Sequence, residues 1–205
     1  MRVLITAGPT REKIDPVRFI TNYSSGKMGY ALAQAAAEKG HDVVLVSGPV
    51  ALKCPENVKE FYSVESAAEM AEKVFELFPS CDAAIMVAAV ADYRPAEICT
   101  SKMKKSDGDL YLRLERTTDI LAGLGARKSD KQKLIGFAAE TDDLLANAQS
   151  KLERKNLDWI AANKVSDGFG SATNKVILLS RDGRRVDLET ADKIDVARKI
   201  LETVF

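Results

Sequence analysis

The chain lacks most of the side chains on which familiar catalytic chemistries are built. Its 205 residues include one histidine, His41, and three cysteines, Cys54, Cys81 and Cys99. A lone histidine removes most histidine-based metal sites and nucleophilic triads. The cysteines are odd in number and lack zinc-ligand spacing, so free thiols in a reducing cytosol, and a cytoplasmic protein, are the expectation. Net charge is absent too, because 30 Lys+Arg balance 30 Asp+Glu. Nothing suggests a nucleic-acid surface, and any anion site must come from a local cluster. No apolar run approaches the ~18 residues of a spanning helix, and the short one in "MRVLIT" stops at Thr6. It reads as a strand, not a signal peptide, and no membrane partner is expected. Two phosphate-binding signatures are also missing. A P-loop needs G-x-x-x-x-G-K-[ST], whereas "SSGKMG" puts Met28 after Lys27 and has no upstream glycine. A dinucleotide fingerprint needs G-x-G-x-x-G after the first strand and an acidic end to the second, but here the first turn is "AGPT" and the second strand ends at Ser47.

What is present is a sheet-forming pattern. Hydrophobic residues make up 46% of the chain, ample for a buried core. "RVLIT" and "DVVLV" read as strands joined by a helix over 28–39, with Gly40 as its stop, which is a βαβ unit. A helix over "SAAEMAEKVFELF" leads to the continuous apolar strand "AAIMVAAV" (83–90), of the kind buried on both faces of a parallel sheet. "LIGFAAE" (strand), "DDLLANAQSKLERKN" (helix), "LDWIAAN" (strand) and a closing helix in "ADKIDVARKILETVF" continue the alternation. The predicted fold is α/β, a doubly wound, mostly parallel Rossmann-like sheet flanked by helices. With no repeat or linker, residues 1–205 are expected to form one domain. Two segments interrupt the pattern. Residues 93–109 have no clear period and read as a long, lysine-bearing flap loop. "NKVILLSRDGRRVDL" reads as a β-hairpin with Asp182 and Gly183 in the turn, extending the sheet or pairing with another subunit.

Open α/β sheets bind ligands at the carboxyl ends of their strands. The loops there, 6–10, 47–50, 88–95, 136–141 and 162–170, are rich in small residues, with Asp92, Glu140 and Asn163 as polar punctuation. "TNYSSGKMG" (21–29) places Ser24, Ser25, Gly26, Lys27 and Gly29 before an alanine-rich helix. Such a stretch suits an approaching phosphate, or else simply supplies a helix cap and close packing. Lys102, Lys104 and Lys105 read either as a solvated charge run or as a mobile cover for a polyphosphate. Lys151 and Lys155, four apart, share one face of a predicted helix.

Taken together, "ITAGPTREKIDPVRFITNYSSGKMG", "AAVADYRP", "KMKK" and "GFAAET" resemble phosphopantothenoylcysteine synthetase over nearly the whole chain. The resemblance implies ligation of 4'-phosphopantothenate to L-cysteine through an acyl-nucleotide, with CTP as co-substrate in the bacterial branch and Mg2+ bridging phosphate oxygens. No metal ligands are assigned. Because the chain starts at Met1 just before the first motif, the stand-alone form is expected, with a separate phosphopantothenoylcysteine decarboxylase as the next enzyme. The family also implies a homodimer, with the hairpin near 175–188 as the crossing element.

By the same resemblance Asn22 and Lys102 are the catalytic residues: Asn22 donates to the acyl oxygen and Lys102 is the first lysine of the flap. Asn22, Ala88, Ala89 and Asp92 contact phosphopantothenate. Gly8, Ser24, Gly26, Gly29, Asp92, Lys102, Phe137, Lys151, Lys155 and Asn163 contact the nucleotide, and Glu115, Arg116, Thr117 and Thr118 read its base. "ERTTDI" departs from the family by placing Thr118 where proline is usual, and Thr118 is expected to cap the helix that follows. Two other classes remain open on the residues alone, an NAD(P)-dependent reductase and a non-catalytic nucleotide-binding module.

Overall fold

The structure, a computed structural model, describes residues 1–105, 107–168 and 171–205. Ser106 of the expected flap, and Phe169 and Gly170 at the end of the 162–170 loop, therefore lie outside the described residues.

Strand β1 (Arg2–Ala7) is followed by an antiparallel ribbon of β2 (Arg11–Lys13) and β3 (Phe19–Thr21), then by α1 (Lys27–Glu38) and β4 (Asp42–Ser47). Next come β5 (Glu60–Ser63), α2 (Ala67–Leu77) and β6 (Ala83–Met86). A second ribbon, β7 (Tyr93–Pro95) with β8 (Leu114–Arg116), leads to α3 (Ile120–Arg127), β9 (Lys133–Glu140), α4 (Leu144–Arg154), β10 (Trp159–Lys164) and the short α5 (Val165–Gly168). β11 (Thr173–Ser180), β12 (Arg185–Asp192) and α6 (Lys193–Val204) complete the chain.

Eight strands form the main sheet in the order β12-β11-β10-β9-β6-β1-β4-β5. The run from β5 to β10 is parallel, and the β11–β12 hairpin adds two antiparallel strands beyond β10. Strand order thus reverses between β1 and β6, and the crevice at their carboxyl ends is where such sheets hold ligands. Strand alternation divides the core. Val3, Ile5 and Ala7 face α1 and α6, while Leu4 faces the layer made by α2, α3 and α4. Small residues let α1 sit close to the sheet: a Cβ on Gly29 would lie 2.6 Å from the Cβ of Ala7. The helix therefore begins directly above the end of β1.

The expected fold is the observed one, with local corrections. The strand read over 83–90 pairs as a strand only through Met86, because side-chain hydroxyls take over the backbone donors beyond it. The segment 93–109 is not simply a loop: its start pairs with residues 114–116 as the β7–β8 ribbon. The hairpin turn lies as read, with Gly183 at positive φ, and its strands extend the sheet. The strand at 60–63 and the β2–β3 ribbon carry too few residues to show a period. All three cysteines are unpaired, and among the described residues no helix is long and apolar enough to cross a membrane.

Leu45 is fully buried in β4, whereas Leu145 on α4 is 38% exposed. Leu45→Ala should cost about 2–5 kcal/mol in urea unfolding, and Leu145→Ala should stay within about 0.5 kcal/mol of the parent. Similar losses would refute the assignment of faces.

Candidate functional site

The carboxyl ends of β1 and β6 are joined by hydroxyls as much as by the ladder. Buried Thr6 accepts from the N–H groups of Val87 and Ala88 through Oγ1, at 3.1 and 3.2 Å. The Ala89 N–H donates to the Gly8 carbonyl at 2.9 Å, and the Thr10 N–H to the Ala89 carbonyl at 3.2 Å. Thr10 Oγ1 then accepts from the Ala91 N–H at 3.0 Å. The N–H groups of Ala88 and Ala89 are thus spent inside the fold. What these two residues give the site is smallness: they form a low ridge with a cleft on either side. Asn22 stands at that ridge, its Nδ2 donating to the Ala89 carbonyl at 3.0 Å, with its side chain exposed.

The first cleft, about 180 Å³, lies over the start of α1. Gly8, Ser24, Gly26, Gly29, Phe137 and Asn163, all expected at the nucleotide, line it. Gly26 is the helix N-cap at φ +76°, a left-handed conformation that favours glycine, and no side chain caps the helix. The Ser24 hydroxyl instead accepts from the Gly26 N–H at 3.3 Å and holds the loop's bend. Of the alternative reading as a helix cap with close packing, the serine cap therefore fails, while close packing at Gly29 is what the structure has. Two lysines line this cleft, Lys27 and Lys193, and none of the described lining residues is acidic. The Lys193 ammonium donates to the Ser171 carbonyl at 2.6 Å. Burial, and then the neighbouring charge of Lys27, push its pKa down.

The second cleft, about 510 Å³, is polar and lies between β6, α3 and α4. Asp92, Arg116, Thr117, Thr118, Lys151 and Lys155 line it, and Phe137, Ala88 and Ala89 border both clefts. Thr117 ties this wall to the ridge: its N–H donates to the Asp92 carbonyl at 3.0 Å and its hydroxyl to the Ala91 carbonyl at 2.6 Å. Lys151 pairs with Glu140 at 2.6 Å and Lys155 with Asp119 at 3.0 Å. These pairs orient both lysines on the wall, so they are not merely a solvated helix face. Asp119, not Thr118, caps α3, its Oδ1 accepting from the Ala122 N–H at 3.0 Å. Burial pushes the Asp119 carboxyl up, but the Ala122 N–H and Lys155 outweigh it and leave the pKa lowered. Glu115 lines neither cleft. It pairs with Arg94 at 2.8 Å across the second ribbon.

Lys102 lies outside both clefts. Exposed, it shares a separate recess with Arg18, Lys104 and Lys105. The reason is an anchor at Met103, whose N–H donates to Asp15 Oδ2 at 3.1 Å and whose carbonyl accepts from Arg18 at 3.2 Å. The Asp15 carboxylate is buried and also takes the Val17 and Arg18 N–H groups, at 2.8 and 2.9 Å, and the Arg18 guanidinium. The Arg18 hydrogen bond first, and then these backbone donors against the cost of burial, hold its pKa far below the ordinary 3.8.

Among the described residues no three His, Cys, Asp or Glu gather as a metal cage. Mg2+ commonly uses one or two carboxylates together with substrate phosphates, and the exposed Asp92 on the cleft wall suits that arrangement. The end of β4 offers no carboxylate for a dinucleotide ribose. Ser47 is buried there, accepting from the Tyr30 hydroxyl at 3.1 Å and donating to the Gly48 carbonyl at 2.8 Å. Sequence reasoning missed Asn174 and Lys193 as lining residues, since only the position of the hairpin and last helix beside α1 brings them to the first cleft.

The family described as DNA/pantothenate metabolism flavoprotein C-terminal domain matches residues 1–205. The chain is 51% identical over 205 residues to the coenzyme A biosynthesis bifunctional protein CoaBC of Bacillus subtilis (strain 168), covering 98% of this chain and 50% of that protein. It thus spans about half the length of the curated CoaBC relatives it matches. A crystal structure of the C-terminal domain of a CoaBC protein superposes with a TM-score of 0.85 at 48% identity, covering 99% of this chain and 93% of that one. A Cab2 mutant in complex with phosphopantothenate-cysteine shares the fold, with a TM-score of 0.80 at 19% identity over 99% of this chain and 84% of that one.

Because the folded pKa of Asp15 is lowered, its stabilising contribution is complete above the unfolded value and fades as pH falls below about 4. Asp15→Asn should lower stability at pH 7, lose less of it than the parent between pH 5 and 2 in urea titrations, and speed proteolytic cutting within 96–113. An unchanged acid limb and unchanged cutting would refute the anchor.

Proposed function

The chain belongs to the DNA/pantothenate metabolism flavoprotein C-terminal domain family, and we propose that residues 1–205 act as one phosphopantothenoylcysteine synthetase domain, joining 4'-phosphopantothenate to L-cysteine at the expense of CTP. The observation that carries this is the Ala88–Ala89 ridge between two clefts, one with two lysines and no carboxylate among its described lining residues and one polar and larger, with the Asn22 amide at the ridge. A nucleotide laid across the ridge has its phosphates over Gly8, Ser24, Gly26, Gly29 and Asn163. Its base then lies against Arg116, Thr117 and Thr118, with Phe137 between. The α-phosphorus falls at the ridge, beside Asn22.

A carboxylate oxygen of 4'-phosphopantothenate attacks the α-phosphorus there, the bond to the β-phosphate oxygen breaks, and pyrophosphate leaves. The amine of cysteine then attacks the acyl-cytidylate carbonyl carbon, the anhydride C–O bond breaks, and CMP leaves as the nitrogen gives up a proton. Neither step needs a covalent protein nucleophile, in keeping with a chain of one histidine. Positioning and charge stabilisation carry such chemistry. Asn22 donates to the acyl oxygen as charge gathers on it. Lys151 and Lys155, oriented by Glu140 and Asp119, hold the nucleoside half. Mg2+ held by Asp92 and phosphate oxygens would neutralise charge on the leaving pyrophosphate. Lys102 assists the first step only after its flap leaves the recess it occupies here.

The product passes to a phosphopantothenoylcysteine decarboxylase. The working unit is a homodimer, a second copy covering the exposed apolar side chains of the two adjoining ribbons, among them Phe19, Tyr93 and Leu114. The β11–β12 hairpin, which extends the sheet of its own chain and leaves β12 as the edge strand, is the proposed crossing element.

With 4'-phosphopantothenate, cysteine and Mg2+, pyrophosphate release at limiting nucleotide should be faster from CTP than from ATP, and comparable rates would refute the CTP preference. Asn22→Ala should slow amide formation about 10²–10³-fold and acyl-cytidylate formation less. Lys102→Gln should impair activation itself. Equal losses in both half-reactions for both variants would contradict these roles.

A further inference from the structure

We propose that Thr21, the last residue of β3, is a positioning residue for Asn22, its hydroxyl holding the amide-bearing residue at the Ala88–Ala89 ridge. The inference rests on the ligase reading for the reaction step it affects, and on the hydrogen bonds alone for the placement.

The ladder between β2 and β3 ends at the pair Arg11–Thr21. Asn22 is the next residue, exposed and outside the ribbon. An exposed side chain on such a connection would ordinarily be mobile, yet its Nδ2 donates to the Ala89 carbonyl at 3.0 Å. The Thr21 hydroxyl supplies the hold, donating to the Thr10 carbonyl at 2.7 Å. That carbonyl is a fixed point. Thr10 is fully buried, its N–H donates to the Ala89 carbonyl at 3.2 Å, and its Oγ1 accepts from the Ala91 N–H at 3.0 Å. Pro9 beside it forms a parallel bridge with Ala89. The circuit leaves Ala89, passes through Thr10 and Thr21, and returns through Asn22 to the same carbonyl.

The Ala89 carbonyl accepts from both the Asn22 amide and the Thr10 N–H. Asn22 can therefore turn its amide to a ligand's oxygen while Thr10 keeps that buried acceptor satisfied. The bond from Thr21 does not involve Ala89, so the backbone of Asn22 stays where it was. A donor to developing negative charge needs this arrangement, fixed in place before the reaction and able to change partner during it. Downstream the loop is held as well: a Cβ on Gly26 would lie 3.3 Å from the Cα of Gly8. Residues 22–25 are thus pinned at both ends to the segment 8–10, which carries the ridge. Closing the ribbon alone would not require the hydroxyl, because Thr21 already pairs with Arg11.

The test compares Thr21→Val, Thr21→Ser, Asn22→Ala and the double variant Thr21→Val/Asn22→Ala with the parent. Valine keeps the β-branch suited to a strand and removes only the hydroxyl, at an exposed position. Pyrophosphate release from CTP without cysteine reads activation, and product formation with cysteine reads amide synthesis. Thr21→Val should slow amide synthesis about tenfold or more, slow activation less, and leave the KM for CTP within about twofold of the parent. Thr21→Ser should recover most of the loss. The double variant should lose no more than Asn22→Ala alone, because a residue that acts through Asn22 then has nothing left to position. A structural role alone would depress both half-reactions, and its loss would add to that of Asn22→Ala. In a parent that forms amide, parent-like amide synthesis by Thr21→Val, no recovery by serine, or additive losses overturns the proposal.

A second readout needs no substrate. ¹⁵N relaxation of the Asn22 side-chain amide, assigned by its disappearance in Asn22→Ala, should show greater motion in Thr21→Val than in the parent or Thr21→Ser. Equal motion overturns the placement even where the ligase reaction is found. Greater motion in a protein that forms no amide sinks the ligase reading and spares the placement.

Discussion

Everything at the site depends on how the ends of β1 and β6 are held together. Beyond Met86 the sheet ladder gives way, and Thr6 and Thr10 supply hydroxyl acceptors for the N–H groups of Val87, Ala88 and Ala91. A buried N–H without a partner is costly, so these threonines allow strand β6 to end abruptly at the switch point without exposing unsatisfied backbone. Because the backbone is satisfied internally, the residues that follow can be as small as alanine. A low ridge results where a longer strand with larger side chains would fill the crevice.

The two clefts beside that ridge differ in electrostatic design. In the second, each lysine is paired with a carboxylate that fixes its position, and Asp119 also caps α3. Such pairs give geometry more than attraction. In the first, Lys27 and Lys193 converge on a small space walled by glycine, serine and fixed amides. One cleft suits a neutral or aromatic group that must be oriented, the other a compact anion. The flap stands apart from both, clipped at Met103 to a turn whose buried Asp15 is itself saturated with donors. That anchor lies in the turn between β2 and β3 rather than in a strand of the main sheet.

Much of this was legible from the chain. The parallel strands announce themselves as short apolar runs, and the alanine-rich run that begins within "SSGKMG" marks α1, which follows the β2–β3 ribbon. Gly8, Ser24, Gly26, Ala88, Ala89 and Phe137 meet where the loop-by-loop reading put them. Three kinds of information were not in the pattern. Three-residue strands such as Tyr93–Pro95 have no measurable period, so a ribbon looked like a loop. Helix capping was misassigned to Thr118 because Asp119, one position on, competes with the same chemistry and has Lys155 beside it. Lys193 was invisible because nothing local separates a helix-start lysine in solvent from one turned into a cleft. Its burial follows from where β11, β12 and α6 are stacked.

The central claim is that the ridge brings an acyl carboxylate against the α-phosphorus of a nucleotide. The most direct test uses 4'-phosphopantothenate labelled with ¹⁸O in its carboxylate, incubated with CTP, Mg2+ and cysteine, with mass analysis of all phosphorus-containing products. Activation at the α-phosphorus places one labelled oxygen in CMP and none in pyrophosphate. Label in inorganic phosphate with release of CDP, or amide formed with no label transferred to any phosphorus product, would contradict the account.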